Sequence, residues 1–479
     1  MPRFESDDRF WEIERDGKRL RIRSGLLGEP GEQLTHVAHF EAEARRDFED
    51  RIAAKLAQGF RPVAAPREPV PEPEPTLMSA VIEALAPERL ATPEGAAALQ
   101  AAWTVLGDWF AARGDIRGEL ISIDETLAYV DGRGRDRLLT RRDQLLGEWI
   151  PRWLGDFGRL DGPGYPIGLG WDHGFIAVAR IGTDPHRLDL GRFRLGLRDL
   201  VPVLEQLLAN PLMRPVRQLR IAELDPHARR DLARALPLLP SAELPALIRL
   251  ELGGVARGEW IRDEFGVPRQ RIVLARIGSL ALLARAREWA PRLAALRVIG
   301  REIRVFPPLP QLQVLELMVP MVSEELLVWL TTSAWPKLER LWLRAVKFND
   351  AWGHPAEGPS LDELLDHLCG TPLSELGLQG QTALVTFLTH AGMAGRPLNE
   401  LRLFCLGDSS VDLLLSHHDR LAAVERIVLE DGDIGPRFDE LKRRFGDRVR
   451  RCQGTFAAFE DSDGSYLRES VFDAPGWSG

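Results

Sequence analysis

The chain has 479 residues, 44% of them hydrophobic and 28% charged, and a formal net charge of −9 at pH 7. Such a length suggests about three domains with enough apolar residues for sizeable cores. The acidic balance argues against a general nucleic-acid coat, because phosphate binding depends on a surplus of Lys and Arg.

The cysteines and the apolar runs indicate the compartment. Three cysteines without a CxxC pair predict neither a disulfide framework nor a zinc site. The start of the chain has no basic region followed by an apolar run, and no stretch of about 18 apolar residues occurs anywhere. We therefore expect a cytoplasmic protein that makes no membrane contact.

Residues 1–62 predict one small α+β unit. Apolar and polar residues alternate on both sides of Asp16-Gly17, a dipeptide typical of tight hairpins. From Phe40 to Leu56 the apolar spacing changes to that of an amphipathic helix.

This unit resembles the WGR domain, in which a Phe-Trp-Glu strand leads through a Trp-Gly-Arg signature to a helix and a Gly-aromatic close. Residues 10–12 are Phe-Trp-Glu, but residues 24–26 are Ser-Gly-Leu, so only the glycine of the signature is kept. In poly(ADP-ribose) polymerases the family's Trp and Arg help to engage DNA ends. The resemblance therefore implies the fold but not those two DNA contacts.

Nucleic-acid binding by this unit stays an alternative. Residues 1–62 hold 12 Lys or Arg against 13 Asp or Glu, so the unit is not basic. If nucleic acid binds, the candidate contacts are the hairpin cations Lys18, Arg19, Arg21 and Arg23. The other interpretation of these cations is a solvated strand face.

Residues 63–76 predict a linker, because alternating Pro and Glu favour an extended spacer. Residues 77–160 then show helical spacing. Within them, residues 108–121 (Asp-Trp-Phe-Ala-Ala-Arg-Gly-Asp-Ile-Arg-Gly-Glu-Leu-Ile) are similar to the short repeat-companion domain of bacterial proteins. That domain typically accompanies repeat arrays.

The companion phrase contains five charges that could form an acid–base cluster: Asp108, Arg113, Asp115, Arg117 and Glu119. We interpret them as a helix–turn–helix clamp, in which Asp115 caps the second helix and Arg117 bridges to carboxylates. No His or nucleophile is close in sequence, so catalysis is the alternative with less support.

Residues 161–175 are rich in glycine and invite comparison with a phosphate-binding loop. They contain no Gly-Lys-Ser/Thr and lead into a strand-like stretch at 175–181, so nucleotide binding is not predicted. We expect this segment to cap the first strand of a repeat array.

The phrase L-x-x-L-x-L, with Val or Ile at some positions, recurs eight times. Its copies begin at Val216, Leu247, Leu293, Leu312, Leu338, Leu373, Leu398 and Val424. In a short strand the fourth and sixth positions point to one side, while the third, fifth and seventh point to the other. Stacked units of this kind close a continuous core.

The phrase resembles the strand segment of leucine-rich repeats, whose period is about 20 to 29 residues. Helical patterns lie between the later copies, and Ser323, Ser360 and Ser409 are placed to cap three of them. The resemblance implies an α/β fold: a leucine-rich-repeat solenoid at residues 161–435, after a WGR-like domain and a helical connecting segment. A C-terminal cap and polar tail occupy 436–479, and irregular spacing leaves the number of repeats open.

The outward strand positions predict a partner surface. The fifth positions form a ladder of Arg220, Glu251, Arg297, Glu316, Trp342, Gly377, Arg402 and Val428. Aromatic residues among arginines are typical of protein-binding hot spots. We predict partner contacts by Arg340, Trp342, Arg344, Arg402, Phe404, Glu316, Glu400 and Arg426. The alternative is a face closed by the protein's own cross-strand pairs.

Three other motifs have structural interpretations. Cys405 follows a repeat strand with no separate helical domain after it, which favours a buried thiol. His417-His418 lacks a second ligand pair at metal spacing. If Gly464 is placed at the sixth position of a calcium loop, both end carboxylates are missing.

Together these patterns predict a modular bacterial scaffold that is not an enzyme, needs no cofactor or metal, and binds a protein partner through the concave face of the repeats. One alternative is a DNA-end or nucleic-acid adaptor that uses the WGR-like domain to recruit an effector. Another is an enzyme that uses the charges between Asp108 and Glu119.

Overall fold

A computed structural model gives the fold of the chain. It describes residues 3–6, 8–28, 31–63, 75–155, 167–182, 200–222, 232–256, 260–262, 268–270, 273–304, 307–319, 322–345, 360–393, 395–404, 407–430, 434 and 436–452. These residues form a mixed α/β structure with one large, mostly parallel sheet. Most of the predicted linker, Cys405 and the tail from residue 453 lie outside the described residues.

Residues 3–63, here called the N-terminal unit, form their own sheet. The elements are β1 (Arg3–Glu5), β2 (Arg9–Asp16), β3 (Arg19–Leu26), β4 (Glu32–Val37), α1 (Glu41–Ala57) and β5 (Arg61–Val63). The strands pair antiparallel in the order β4-β3-β2-β1-β5. β2 and β3 meet at the predicted turn, where Gly17 has a φ of 56° that glycine adopts without strain.

The N-terminal unit has a hydrophobic core separate from that of the large sheet. Trp11, Ile13 and Ile22 of the sheet are buried, and Phe48 and Ile52 of α1 pack against them. The strands bury every second residue and the helix buries residues three or four apart. The apolar spacing in the sequence therefore differs between β2–β3 and α1.

A helical segment follows the N-terminal unit. Its helices are α2 (Pro75–Ala84), α3 (Pro87–Leu90), α4 (Pro93–Ala111), α5 (Ile116–Leu127) and α6 (Arg133–Leu154). The carboxylate of Asp115 accepts a hydrogen bond from the Arg117 amide, which confirms the predicted cap of α5. α4 and α5 approach closely at Gly118, where a Cβ would lie 2.6 Å from the backbone nitrogen of Ala111.

The large sheet begins with a hairpin of β6 (Ile167–Asp172) and β7 (Phe175–Ile181). His173 and Gly174 join the strands with φ angles of 54° and 76°. Positive φ at both central residues is the requirement of a type I′ turn, which matches the twist of the strands. β6 is the first edge strand of the sheet, where the sequence predicts a cap.

The repeat phrases lie in the region that follows. Its elements are α7 (Val201–Leu208), β8 (Gln218–Ile221), β9 (Arg249–Gly253), β10 (Val255–Ala256), β11 (Trp260–Arg262), β12 (Pro268–Gln270), β13 (Val273–Leu274), β14 (Arg276–Ser279), α8 (Ala286–Trp289), β15 (Ala295–Ile299), β16 (Arg301–Arg304), β17 (Val314–Val319), α9 (Glu324–Thr332), β18 (Arg340–Ala345), α10 (Leu361–Cys369), β19 (Glu375–Gln379), α11 (Gln381–Thr389), β20 (Leu398–Phe404), α12 (Asp408–Ser416), β21 (Val424–Glu430), α13 (Arg437–Phe445) and β22 (Val449–Cys452). Short 3-10 helices complete several connections.

Each of the eight phrases forms one strand of the large sheet. The sheet order is β22-β21-β20-β19-β18-β17-β15-β9-β8-β7-β6, so the strands follow the order of the phrases, and β7 to β22 are parallel. The fourth phrase positions align across the sheet: Leu219, Leu250, Leu296, Leu315, Leu341, Leu376, Leu401 and Ile427. These side chains are buried, as the period of the phrase predicts.

The caps predicted at Ser323 and Ser360 are present, whereas α12 begins at Asp408, so the cap expected at Ser409 is wrong. The Ser323 and Ser360 hydroxyls accept from the amides of Leu326 and Glu363 at the starts of α9 and α10. The irregular gap between the second and third phrases holds β10 to β14, in two small antiparallel pairs and one strand that pairs with β16. β9 and β15 are nevertheless neighbours in the large sheet.

One hydrophobic cluster extends from Met78 in α2 to Val449 in β22. The helical segment and the large sheet therefore share a core that crosses the predicted boundary at residue 160. Arg292 also donates to the carbonyl oxygens of Ile82 and Glu83, at the end of α2. Among the described residues, no helix combines the length and the apolar character that crossing a membrane requires.

Candidate protein-binding face and a polar cluster

The predicted partner residues lie on one side of the large sheet. This side, here called the charged face, carries the third, fifth and seventh phrase positions. The register aligns Arg220, Glu251, Arg297, Glu316, Trp342, Gly377, Arg402 and Val428 in one row. The predicted ladder of fifth positions is therefore confirmed, because parallel pairing without slippage keeps equivalent positions side by side.

The ion pairs on the charged face connect neighbouring strands. The carboxylate of Glu316 lies 3.3 Å from Arg297, 3.8 Å from Arg340 and 3.9 Å from Arg249. Glu430 pairs with Arg344 at 3.2 Å and Arg402 at 3.0 Å.

A second set of pairs extends the network. Glu400 pairs with Arg402 at 2.8 Å and Arg426 at 3.8 Å. Each of the glutamates Glu316, Glu400 and Glu430 thus lies among two or more arginines.

The carboxylates lie beneath the guanidinium groups. Glu316 and Glu400 are 6% exposed and Glu430 is fully buried, whereas the side chains of Arg340 and Arg426 are 22% and 43% exposed. The exposed charge of this face therefore comes mainly from arginines, although Glu251 and Glu375 are also 16% and 18% exposed.

Glu251 shows the electrostatic effect of this layering. Burial alone raises the pKa of a carboxyl group, but Arg249, Arg297 and Arg220 outweigh it and lower the pKa of Glu251 to about 2. The carboxylate therefore stays charged at neutral pH.

Trp342 lies flat against the sheet. A Cβ on Gly377 of the next strand would be 2.7 Å from the Trp342 Cδ1, so the missing side chain makes room for the indole. The guanidinium carbon of Arg402 lies 4.1 Å from the indole centroid and that of Arg340 lies 4.9 Å away. Phe404 meets the ring edge-on, with centroids 6.3 Å apart.

This arrangement leaves little of the two aromatic rings exposed. Phe404 is only 3% exposed and Trp342 is partly buried, so the rings form no large exposed aromatic surface. The flanking arginines and Gly377 cover the rings instead. The indole Nε1 of Trp342 is buried and finds no acceptor within the described residues. An unsatisfied buried donor costs about 1–3 kcal/mol.

The predicted nucleic-acid contacts of the N-terminal unit are partly neutralised. Arg21 and Arg23 of β3 each lie 3.6 Å from a glutamate of β2, Glu14 and Glu12 respectively. Lys18 and Arg19 are exposed near the turn, and Arg19 is opposite Asp16. This part of the surface therefore presents no large surplus of positive charge to phosphates.

The charges of the companion phrase are used in packing. The guanidinium of Arg117 is fully buried, binds Asp115 at 2.5 Å and lies 4.0 Å from the centroid of Phe110. Glu119 pairs with Arg141 of α6 at 2.7 Å. The Arg117–Asp115 pair belongs to the predicted helix–turn–helix clamp, whereas the pair between Glu119 and α6 was not predicted.

A polar cluster that the sequence did not reveal joins α5 to the β6–β7 hairpin. The imidazole of His173 lies between Asp172, 2.6 Å from Nδ1, and Glu125, 2.9 Å from Nε2. The His173 amide donates to Asp124 at 2.7 Å, and the imidazole stacks on Trp103 with centroids 4.4 Å apart.

Two arginines complete this cluster. Arg142 donates to Asp124 at 2.6 Å and Arg217 donates to Asp172 at 2.7 Å. Three cations thus face three carboxylates, those of Asp124, Glu125 and Asp172.

In the polar cluster Asp124, Asp172 and His173 place potential metal-ligand atoms within 4.8 Å of one another. Burial lowers the pKa of His173, but Asp172 and Glu125 outweigh this effect and raise it to about 9. With Asp172 at Nδ1 and Glu125 at Nε2, both ring nitrogens are placed to donate to carboxylates. The geometry fits an ion-pair clamp between the helical segment and the sheet.

The sequence offered only one signal for this cluster. His-Gly is compatible with a type I′ turn, because His is among the residues enriched at positive φ. The partners Asp124 and His173 are 49 residues apart, so no local motif links them.

His417 and His418 contact groups close to them in the chain. His417 Nδ1 lies 3.0 Å from the Leu413 carbonyl oxygen, and His418 Nε2 lies 2.9 Å from Asp419. Neither interaction forms a metal site. Cys405 and residues 461–464 lie outside the described residues.

Comparisons with known proteins assign no family to the chain. No protein-family profile matches it, and no curated protein sequence matches it significantly. Among solved structures, a crystal structure of a protein from Bacteroides fragilis has a TM-score of 0.39 and 14% sequence identity, covering 94% of this chain and 95% of that chain.

Proposed function

We propose that this chain is a non-enzymatic, cytoplasmic scaffold that binds a protein partner through the charged face. In this proposal the large sheet and its helices are a leucine-rich-repeat solenoid, and the N-terminal unit is a WGR-like domain that packs against protein. No cofactor takes part.

The proposal depends on one observation, the environment of Trp342. An indole flanked by Arg340 and Arg402 has the composition of a binding hot spot. Its N–H group finds no acceptor among the described residues, and a partner can supply one. The side chains of Arg340 and Arg402 beside it are 22% and 14% exposed and present their guanidinium groups to a partner.

The test compares captured proteins in a nuclease-treated lysate of the organism that encodes the chain. The bait variant Trp342→Phe/Arg340→Gln removes the indole N–H and one guanidinium but keeps an aromatic ring. Its matched control is Trp289→Phe/Arg287→Gln, because Trp289 also has a buried indole N–H without an acceptor in the described structure.

We expect one captured protein to bind the unchanged chain and the control but not the Trp342 variant. The captured protein is then purified, and its affinity for the three baits is measured directly. Equal affinity for all three baits excludes an interface at Trp342. If a protein is captured only from a lysate that has not been treated with nuclease, the nucleic-acid adaptor is favoured instead.

A further inference from the structure

We infer that the charged face recognises an acidic segment of its protein partner, whose carboxylates bind the arginine layer. This inference rests on the proposed function and adds the chemistry of the partner. Its basis is the charge surplus of the face, the position of the glutamates and the character of the cations.

The charged face has the opposite charge to the chain as a whole. On the described strands β7 to β22 it carries nine arginines against five glutamates, an excess of four positive charges. The charged residues are Arg180, Arg220, Arg249, Arg297, Arg340, Arg344, Arg402, Arg426, Arg450, Glu251, Glu316, Glu375, Glu400 and Glu430. The chain has a net charge of −9, so the surplus is local to this face.

The glutamates of the face hold the arginines in place and leave them accessible. Glu316 and Glu400 are buried beneath guanidinium groups that keep part of their surface exposed. A side chain fixed in this way loses less conformational entropy when it binds a second carboxylate.

The character of the cations also favours carboxylates. Every cation on these strands is an arginine, and the planar guanidinium donates two parallel hydrogen bonds to one carboxylate. Such pairs give electrostatic complementarity, which selects partners by charge.

Carboxylates fit the face better than a nucleic acid does. Nucleic-acid binding usually combines a positive groove with aromatic rings on which bases stack. The ring of Trp342 already has Gly377 against it and Arg402 over it, and Phe404 is buried.

The test uses the full chain and the variant Arg297→Gln/Arg426→Gln. Both changed arginines lie on the charged face, and their glutamate partners keep other arginines: Glu316 keeps Arg340, and Glu400 keeps Arg402. The variant therefore leaves each of these glutamates paired with another arginine. The control Arg287→Gln/Arg443→Gln makes the same charge change on exposed residues of α8 and α13.

Binding of a fluorescent poly-glutamate peptide is measured by anisotropy at physiological salt, beside poly-lysine and a single-stranded oligonucleotide of equal length. We expect poly-glutamate to bind and the face variant to weaken its binding about tenfold, since two charge-assisted contacts are lost. The control variant keeps the affinity of the unchanged chain, and poly-lysine does not bind. Thermal unfolding of each variant verifies that the fold is kept.

Three results would overturn the inference. These are absence of poly-glutamate binding, equal weakening by the face and control variants, and tighter binding of the oligonucleotide that the face variant abolishes. If the Trp342 variant loses a protein partner while poly-glutamate does not bind, only the acidic chemistry fails. If poly-glutamate binds but no protein depends on Trp342, the proposed interface fails instead.

Discussion

The contact between Trp342 and Gly377 shows how one missing side chain shapes the charged face. The indole occupies the space that a Cβ on Gly377 would fill, and the same Cβ would lie 3.0 Å from the Phe404 ring. The glycine at this ladder position is therefore required by packing on the neighbouring strand and not by its own backbone conformation.

We expect Gly377→Ala to destabilise the protein by about 1–3 kcal/mol, because the added methyl group overpacks the site. Displacement of the indole also shifts the tryptophan fluorescence. Chemical denaturation measures the change in the free energy of unfolding. Gly147→Ala is the control, since no atom lies within 4 Å of its Cβ position and alanine is favoured within α6. A stability of Gly377→Ala equal to that of the control contradicts the packing argument.

His173 makes the stability of the sheet edge depend on pH. Its pKa in the folded state is about 9, above the ordinary value of 6.5, because of Asp172 and Glu125. A raised folded-state pKa contributes stability that is complete below pH 6.5 and is lost as the pH rises through 9. The pKa of Asp172 is lowered by His173 and Arg217, so its contribution is lost as the pH falls below 3.8.

We therefore expect His173→Asn to remove on the order of 2–3 kcal/mol of stability near pH 6 and much less above pH 9. Asparagine keeps the positive φ of the turn but has no imidazolium. Denaturation curves at several pH values measure the difference. His36→Asn, at an exposed histidine of the N-terminal unit, is the control. A loss that is constant across this pH range would show that His173 acts by packing alone.

At the scale of elements, α5 is attached to the sheet through Arg117. Its guanidinium pairs with Asp115 and lies between Phe110 of α4 and Phe175 of β7, 4.0 and 5.6 Å from their centroids. This side chain thereby links a helix cap, a helix–helix contact and the first hairpin of the sheet.

We expect Arg117→Ala to cost about 3–5 kcal/mol, because it leaves Asp115 charged and poorly compensated in a buried site. The double variant Asp115→Asn/Arg117→Met recovers part of this loss. Arg113→Gln, which removes the exposed stacking of Arg113 on Trp109 and its hydrogen bond to the Trp109 carbonyl oxygen, costs about 0.5–1 kcal/mol. Urea denaturation gives the three values. Similar costs for Arg113→Gln and Arg117→Ala would contradict the assigned role.

The elements that the sequence predicted correctly are those with a strong local signal. The hairpin at Asp16-Gly17, the caps at Ser323 and Ser360 and the eight repeat strands all follow from turn chemistry or apolar period. The alignment of the fifth phrase positions across the strands was also predicted. A slip of one residue would expose every leucine of a strand, so the pattern allows one register.

What the sequence could not predict depends on contacts between distant residues. The imidazolium of His173 needs α5 and β8 beside the β6–β7 hairpin, and these elements are separated along the chain. The burial of Phe404 depends on Trp342 and Arg344 two strands away. Periodicity gives the side of the sheet on which a residue lies but not the depth at which its neighbours bury it.

At the scale of the whole molecule, two separate cores predict two unfolding events. Trp11 belongs to the small core of the N-terminal unit, whereas Leu341 belongs to the cluster that extends from α2 to β22. We expect Leu341→Ala to lower only the unfolding temperature of the part of the chain from α2 to β22. Its free energy of unfolding should fall by about 2–5 kcal/mol. Trp11→Ala should affect only the smaller transition. Differential scanning calorimetry separates the two, and one transition that both variants shift would contradict independent cores.

The alignment of the strands has a consequence for natural variation of this protein. The phrases that begin at Leu247 and Leu293 are 46 residues apart and those at Leu293 and Leu312 only 19, yet their strands are adjacent and in the same register. Insertions between strands therefore leave the ladder intact, whereas a deletion of one residue within a phrase disturbs every row. We expect related sequences to differ in connection length and in whole strand-and-helix units, while the phrase itself keeps its six-residue length.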